Sequence, residues 1–319
     1  MIDLTPTDAQ RDLTDGVRAF LAGQTETDEP LPFTPEVWRA LGELGVFSLP
    51  VAEEDGGLGL GAVESALVFI ELGRAVASGP LVWTQLAALA VPAIAADPVP
   101  VAGIERTAEL VVEHFGVSDQ LLVLDADQVT LVDTAAVTQR AATSNLDPLT
   151  PVTVVDALPA GTVIGDAAVA RRLHRFGTLL SSALLLGLAD RALDVATAYA
   201  KTRQQFDRPI GSFQAIKHLL ADCFVRSGLA RSTVYAAAVL LDQDGPGLAA
   251  ELAAAKLLAG EAADRNARTA IQVLGGMGFT WETLPHYLLK RAWVLESSFG
   301  TRDDQALAIS ALLAEEVGA

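Results

Sequence analysis

The stretch of sequence that decides the fold is Arg203-Gln204-Gln205-Phe206-Asp207-Arg208-Pro209-Ile210-Gly211-Ser212-Phe213-Gln214. It predicts an arginine at a helix end, a Pro/Gly turn, and a new helix with glutamine in its first turn. An arginine fork and the free N–H groups of a helix start can together hold a pyrophosphate. The same pattern also fits a plain turn between two helices.

A second stretch is Gln272-Val273-Leu274-Gly275-Gly276-Met277-Gly278-Phe279-Thr280-Trp281-Glu282. Glycines after a helix end let a ligand or another backbone approach closely, and the Gln272 amide can bind a ribose or a phosphate. An ordinary helix C-cap is the alternative. Trp281, His286 and Tyr287 fit either the lining of a pocket or interface, or core packing at helical spacing.

Residues 166–319, which contain both stretches, have the periodicity of helices. Apolar residues recur at helical spacing over Leu180–Tyr199, Ser212 can cap the next helix, and an alanine-rich helix spans about 247–274. Thr301 can cap a last helix. Long helices with short connections predict a four-helix bundle.

Residues 1–97 are also predicted to be helical. Thr5-Pro6 and Thr34-Pro35-Glu36 each indicate a helix start, with a capping threonine followed by proline. The glycine-rich segment Glu53–Gly59 predicts a loop before a third helix, near Ala62–Gly73.

The middle region, residues 98–165, has short β-prone runs instead. Leu121–Leu124 and Val129–Val132 predict a hairpin, and Val152–Val155 and Thr162–Ile164 are further strand candidates. The region is too short for a conventional dinucleotide-binding fold and lacks the GxGxxG fingerprint. The predicted fold is therefore mainly α, with a reduced central β-domain between two helical domains.

Composition narrows the possible functions. The chain has 319 residues, of which 51% are hydrophobic and 19% charged, so it can bury a sizeable core. A formal net charge of −18 argues against binding to nucleic acid or to an anionic membrane. Any phosphate-bearing ligand of so acidic a chain needs a local basic cluster. The run Arg171-Arg172-Leu173-His174-Arg175 is a candidate for a ligand phosphate, an acidic partner surface or plain solvent contact.

The cellular compartment follows from cysteine usage and hydropathy. Cys223 is the only cysteine, which excludes an internal disulfide and suits a reducing cytoplasm. Residues 1–13 are acidic and polar, unlike a signal peptide. Apolar stretches such as Phe176–Ala189 are shorter than the roughly 18–20 residues that span a bilayer. These features predict a cytoplasmic protein without membrane insertion.

Taken together, the two stretches resemble the acyl-CoA dehydrogenase family, whose signatures run Arg-x-x-Phe-Gly-x-Pro-Ile…Phe-Gln and Gln-x-x-Gly-Gly-x-Gly. Glu53–Gly59 is similar to that family's Pro-Glu-Glu-Tyr-Gly-Gly loop, so the resemblance extends from end to end and is weakest in the middle. The family's order of domains, helical then β then helical, agrees with the periodicity.

The resemblance implies FAD chemistry, in which a carboxylate takes an α-proton and hydride passes from the β-carbon to flavin N5. It also implies an acyl-CoA substrate and an electron-transfer flavoprotein or equivalent acceptor. In the family, these C-terminal motifs hold the pyrophosphate and adenosine half of an FAD bound mainly by the neighbouring subunit. The residues to which this role transfers are Arg203, Phe206, Phe213, Gln214, Gln272, Gly275 and Gly276.

The catalytic carboxylate is the main departure from the family. The usual base precedes a Gly-Thr pair, here at 300–301, and the residue before that pair is Phe299. Other members place the base on the helix upstream of the motif arginine, where this chain has Gly177. Neither residue can accept a proton, so no catalytic residue is assigned. Glu296 and Glu282 are candidates for a relocated base, and each also fits a surface or ion-paired carboxylate.

The middle region is the second departure. Residues 98–165 lack the Ile-Thr-Gly-x-Lys-x-Trp-Ile-Thr-like stretch that covers the isoalloxazine ring in the family. The combination resembles the short subunits of heteromeric actinobacterial acyl-CoA dehydrogenases that act on CoA thioesters of steroid intermediates, in which a full-length partner supplies the ring site and the carboxylate. Two alternatives are a self-sufficient homo-oligomer with a relocated base and a helical interaction protein on the same scaffold.

Overall fold

The computed structural model describes residues 5–24, 29–106, 110–142 and 144–318, and most of them are helical. Internal contacts divide the chain into two units. The helical unit comprises Met1–Leu31, Ala66–Ala77 and Thr178–Ala319, and the mixed unit comprises Pro32–Ser65 and Ser78–Gly177. Domain boundaries at 97/98 and 165/166 stay a prediction. The helices are α1 (Asp8–Ala22), α2 (Pro35–Glu43), α3 (Ala62–Arg74), α4 (Leu81–Ala90), α5 (Pro92–Ala96), α6 (Ala167–Thr202), α7 (Gln214–Gln243), α8 (Leu248–Leu274), α9 (Pro285–Ser297) and α10 (Arg302–Gly318).

Threonine caps start the first two helices. Thr7, rather than the expected Thr5, caps α1: its hydroxyl accepts from the Gln10 N–H, and the Gln10 side chain accepts from the Thr7 N–H. This reciprocal capping box is the physical reason that the prediction for Thr5 is wrong. The start of α2 is confirmed, because the Thr34 hydroxyl accepts from the Val37 N–H at 3.2 Å.

The strands form two small sheets in the mixed unit. The strands are β1 (Val101–Glu105), β2 (Val111–Glu113), β3 (Gln120–Leu124), β4 (Gln128–Asp133), β5 (Thr138–Ala141), β6 (Val152–Ala157) and β7 (Thr162–Asp166). One sheet has the order β1-β3-β4-β7 and the other β2-β6-β5. The predicted hairpin is confirmed as β3 and β4, which pair antiparallel with Leu124 opposite Val129.

The two sheets share one apolar core. Buried side chains from β1, β3 and β4 in the first sheet meet those from β2 and β6 in the second. Burial of this shared cluster, at about 25 cal/mol per Å² of apolar surface, stabilises strands that are individually short. Its members are Ala102, Ile104, Val112, Phe115, Leu121, Val123, Val132, Val137 and Val155.

Three helices are long: α6, which begins in the mixed unit and continues into the helical unit, has 36 residues, α7 has 30 and α8 has 27. The four helices expected beyond residue 166 are present, and α9 is an additional one that the sequence analysis did not predict. Gly247, at φ 82°, is the N-cap residue of α8 and ends the short connection from α7. Thr301 caps α10 as expected, since its hydroxyl accepts from the Asp304 N–H at 3.2 Å.

Asn266 of α8 fixes how the long helices align. It is fully buried, and its Nδ2 lies 3.2 Å from the carbonyl oxygens of both Ala189 and Cys223 and 3.1 Å from Ser227 Oγ. Its Oδ1 accepts from Arg226 Nε at 3.0 Å. One amide therefore joins α6, α7 and α8, and without these partners its own buried polar atoms would lack hydrogen bonds.

Candidate functional site

The first motif forms a tight hairpin after α6. Gln204–Gln205 (β8) pairs antiparallel with Arg208–Pro209 (β9). The turn between them holds Phe206 and Asp207 at φ 54° and 62°. Two consecutive positive φ values are typical of a type I′ turn, whose second central position favours glycine. The family signature has glycine there, so Asp207 is a departure, although aspartate tolerates this conformation better than most residues.

Phe213 anchors the side chains of the hairpin. The Phe206 ring packs edge-on at 6.0 Å between centroids, and the Arg208 guanidinium lies 4.1 Å from the Phe213 ring centroid. Phe206 nevertheless remains 85% exposed. Arg203 is also exposed, and it makes no ion pair or side-chain hydrogen bond with the residues that the structure describes. Its guanidinium fork is available for an anion.

The helix that follows, α7, starts without a side-chain cap. Phe213 occupies the N-cap position, and Ser212 lies in the preceding 3-10 turn, Ile210–Ser212. The prediction that Ser212 caps this helix is wrong, because the Phe213 N–H bonds to the Ile210 carbonyl and closes an extra turn first. The N–H groups of the first turn of α7, beginning at exposed Gln214, can bind an anion.

The second motif contains glycines that differ in what they do. α8 ends at Leu274 as predicted, and Gly275 follows at φ 63°, which favours glycine. A Cβ on Gly278 would lie 2.7 Å from the Ile271 carbonyl oxygen, so only glycine fits there. A Cβ on Gly276 would meet no atom of the described residues within 4 Å. Packing within that part of the chain does not require glycine at 276, whereas close approach of a ligand would require it.

Both motifs lie at the same end of the α7–α8 pair. The two helices run antiparallel, and the Asn266 bonds to Cys223 and Ser227 set their register. Gln214 and Gly275 are each nine residues from this cross-link, Gln214 counted from Cys223 and Gly275 from Asn266. At 1.5 Å per residue they are therefore roughly level, about 13 Å beyond it. The fold thus brings the uncapped start of α7 beside the glycine turn that ends α8. Gln272, in the last turn of α8, is exposed at that end.

The two positions at which the family has its catalytic base, Phe299 and Gly177, are buried, and the two candidate carboxylates differ in their environments. Phe299 is 1% exposed, and Gly177 is buried within α6. Glu296 accepts a hydrogen bond from Arg302 Nε at 2.6 Å. Glu282 is exposed on the turn after α8, and it forms no ion pair within the described part of the chain. The Glu296 carboxylate is therefore already paired with Arg302, whereas the Glu282 carboxylate is open to solvent.

Lys256 of α8 is a residue that the sequence analysis missed. It is fully buried, and its Nζ donates to Ser181 Oγ at 3.1 Å and to the Leu295 carbonyl at 2.7 Å. Leu295 belongs to the last turn of α9, where the helix dipole favours a cation. Lys256 thereby fixes the segment that leads to Phe299. A lone lysine within an alanine-rich run was the available signal.

An aromatic cluster surrounds the start of α9. The ring centroid of His286 lies 4.7 Å from that of Trp281 and 4.1 Å from that of Tyr287. Lys290 Nζ lies 4.2 Å from the centroid of the Trp281 ring. Trp281 is 66% exposed, so core packing explains His286 but not the tryptophan.

Three other possible features are the basic run at residues 171–175, a metal site and a membrane-spanning helix. Within the basic run, His174 Nδ1 lies 2.9 Å from Glu105, while Arg171 and Arg172 are exposed. Across the described ranges, no group of His, Cys, Asp and Glu side chains could hold a metal ion. The helices in those ranges include none that is both long and apolar enough to cross a bilayer.

Comparison with known proteins identifies the class. Residues 7–97 match the family described as Acyl-CoA dehydrogenase, N-terminal domain, and residues 168–313 match Acyl-CoA dehydrogenase, C-terminal domain. The chain belongs to the acyl-CoA dehydrogenase family of FAD-dependent oxidoreductases, which act on CH–CH bonds.

Individual relatives show which members of the family this chain is similar to. The acyl-CoA dehydrogenase IpdE2 of Mycobacterium tuberculosis is 37% identical over 290 residues, which cover 86% of this chain and 84% of that one. The ChsE4-ChsE5 complex from the same organism matches with a TM-score of 0.84 and 28% identity, covering 98% and 99% of the two chains. A Tcur3481-Tcur3483 steroid ACAD matches with a TM-score of 0.83 and 22% identity over 98% and 99%, a likeness of fold alone.

Proposed function

We propose that this chain is a short subunit of a heteromeric acyl-CoA dehydrogenase that lacks its own catalytic base. It contacts the pyrophosphate and adenosine half of FAD, and a full-length partner subunit supplies the flavin-ring site and the catalytic carboxylate. The observation that carries the proposal is Phe299, a fully buried phenylalanine where the family has its base. Glu296, one turn earlier, is already bound to Arg302.

The site features support a role in binding the diphosphate end of FAD. The open Arg203 fork suits phosphate oxygens, and the uncapped α7 start at Gln214 offers N–H groups to the same anion. Gly276 leaves room for a ligand against the backbone. The exposed Gln272 amide can bind a ribose hydroxyl, and the exposed Phe206 ring offers an apolar surface to the cofactor or the partner.

Bound FAD supplies the hydride acceptor for α,β-desaturation of a CoA thioester. The residues of this chain hold and orient the pyrophosphate and adenosine half of FAD. They fix the position of the cofactor and take no part in proton transfer. The α-proton is left to a carboxylate of the partner. Lys256 keeps the end of α9 in place, so that Phe299 stays packed in the helical unit.

Two observations support the proposed partner and substrate. The ChsE4-ChsE5 structure, 28% identical, is a complex of two named components. The missing base together with the missing ring-covering stretch resembles the short subunits that act on steroid-derived CoA thioesters. We therefore propose a full-length acyl-CoA dehydrogenase partner, a steroid-derived acyl-CoA substrate, and an electron-transfer flavoprotein or equivalent acceptor.

Co-expression tests the proposal. The chain expressed alone should purify without flavin colour, and the chain co-expressed with a full-length family partner should carry FAD. Arg203→Ala should lower FAD affinity of the complex by about tenfold or more, since a hydrogen bond to a charged group contributes roughly 1.5–3 kcal/mol. Arg265→Ala, which removes an exposed arginine of α8 paired with Glu261, is the matched control and should change little. Stoichiometric FAD in the isolated chain would contradict the proposal.

A second candidate is a self-sufficient dehydrogenase with Glu282 as a relocated base. The observation that favours it is the exposure of this carboxylate beside the glycine turn, without an ion pair in the described residues. In that case the chain alone would reduce a dye with an acyl-CoA, and Glu282→Gln would lower kcat by about 100-fold or more. Glu296→Gln is the control. An inactive isolated chain, or full activity in Glu282→Gln, eliminates this candidate.

A further inference from the structure

A groove of about 700 Å³ lies in the mixed unit, between α2 and residues 96–100, which lead into β1. We call it the α2 groove. Phe33, Trp38, Pro98 and Val99 belong to its apolar lining. Sites for small molecules typically have volumes of roughly 300–1,000 Å³ and a mostly apolar lining with a few polar groups. The α2 groove has both properties.

The wall of the groove formed by Trp38 and Pro98 is held in place by the chain itself. Trp38 Nε1 donates a hydrogen bond to the Pro98 carbonyl at 2.9 Å, and the Trp38 ring stacks on Phe47 with 4.6 Å between centroids. A Cβ on Gly42 would lie 2.5 Å from Pro98 Cγ, so glycine lets the proline ring pack directly on α2. A wall that is fixed in advance lowers the entropy cost of binding a ligand.

Part of the apolar lining is in contact with water. Val99 is 43% exposed and Val117 is 40% exposed, and both valines line the groove. Removing such surface from water is favourable. The lining therefore favours a ligand with an apolar body.

Two acidic residues of the lining favour a cation. Glu43 is the last residue of α2, where the helix dipole is negative and the last turn has no basic side chain. Asp97 brings a second carboxylate to the lining. Neither acid makes an ion pair with the residues that the structure describes. A positively charged group in the groove would be attracted to both carboxylates and to the helix end.

Arg39 is the single basic residue in the described lining, and it also acts on an acid outside the groove. The pKa of Glu36 is lowered by hydrogen bonds from its own backbone N–H and from the Thr34 hydroxyl, and further by the Arg39 guanidinium. Glu43 and Asp97 therefore outweigh Arg39 in the groove, and the electrostatic preference is for a cation rather than an anion.

We propose that the α2 groove binds a small molecule that combines an apolar body with an ammonium group. The apolar body lies against Trp38 and covers Val99 and Val117, and the ammonium donates hydrogen bonds to the carboxylates of Glu43 and Asp97. The inference goes beyond the proposed function and does not depend on it, because no residue of the groove belongs to the proposed FAD site.

Three naphthalene probes test the class of ligand. Naphthylmethylamine, naphthylmethanol and naphthylacetate share one ring system and carry an ammonium, a hydroxyl and a carboxylate at neutral pH. Isothermal titration calorimetry of the full chain should give a Kd of about 1 mM or tighter for the amine, as expected for a ligand of roughly 12 non-hydrogen atoms. The other two probes should bind about threefold or more weakly, and added salt should weaken binding of the amine. Equal affinity for all three, or tightest binding of the acetate, would overturn the inference.

Variants that remain folded by circular dichroism test whether the amine binds in the groove. Val99→Trp fills the groove and should weaken binding about tenfold or more. Val163→Trp is the matched control, since it changes an exposed valine of β7 outside the described lining and should leave the Kd unchanged. Glu43→Gln and Asp97→Asn should each weaken binding about threefold, whereas Glu54→Gln, at an exposed acid outside the described lining, should not. Wild-type affinity in Val99→Trp, an equal loss in Val163→Trp, or unchanged affinity in both groove-acid variants would each contradict the proposal.

Discussion

Phe299→Glu is expected to destabilise the isolated chain by about 4 kcal/mol or more and to create no dehydrogenase activity. Phe299 is 1% exposed, so the substitution removes buried aromatic packing and places a carboxylate away from water. A buried carboxylate without a partner either stays charged at a high cost or takes up a proton. Urea denaturation followed by circular dichroism measures the loss of stability.

Phe299→Leu is the control, because it keeps an apolar side chain at the same buried position and should cost less than about 1.5 kcal/mol. The comparison also bears on function. In a self-sufficient dehydrogenase, residue 299 would face a substrate cleft, and a glutamate there would be tolerated. Equal stability of the Glu and Leu variants would therefore argue that the position opens to a cleft, and would weaken the proposal that the base lies on another chain.

Features with a local physical cause could be predicted from the sequence. Thr34 followed by proline starts α2, because the cap and the fixed proline φ act within one turn. The β3–β4 hairpin was predicted because two β-prone runs flank a short polar turn. The same reasoning failed at Thr5 by two residues, since Thr7 has a glutamine three positions later and completes a capping box.

Features that depend on packing could not be predicted. α9 lies between a glycine turn and the Gly300-Thr301 pair, and its buried residues, such as Leu288 and Leu289, gain their stability from the rest of the helical unit. The exposure of Trp281 could not be predicted either, because helical spacing alone does not distinguish a core residue from a surface one. Neither α4 nor α5 was predicted.

The candidate site was predictable in its residue types but not in its geometry. The positions Arg203 and Gln272 follow from the motif resemblance, whereas their meeting at one end depends on the antiparallel register set by Asn266. The glycines of the turn also look alike in sequence. Only the distances from a Cβ to the surrounding atoms separate Gly278, which the fold requires, from Gly276, which it does not.

Gly278→Ala is therefore expected to lower the stability of the chain, and Gly276→Ala to lower FAD affinity without changing stability. At Gly278 a Cβ would lie 2.7 Å from the carbonyl oxygen and 2.8 Å from the Cα of Ile271, and backbone atoms cannot move aside cheaply. Gly278→Ala should cost about 1–3 kcal/mol of stability. At Gly276 the Cβ meets no atom within 4 Å in the part of the chain that the structure describes, so the variant should fold as well as the wild type. It should still lower FAD affinity of the hetero-complex by about tenfold or more, because the methyl group occupies space that the ligand needs.

Measuring both quantities on both variants separates a structural glycine from a binding one. Unfolding of the isolated chain gives the first quantity, and fluorescence titration of FAD into the deflavinated complex gives the second. Loss of flavin in Gly278→Ala alone is explained by unfolding and carries no information about the site. Loss of flavin in Gly276→Ala at unchanged stability requires a ligand or a partner to approach position 276, because no atom of the described residues lies within 4 Å of the added Cβ. Unchanged flavin affinity in Gly276→Ala would place the cofactor elsewhere and remove the glycine turn from the proposed site.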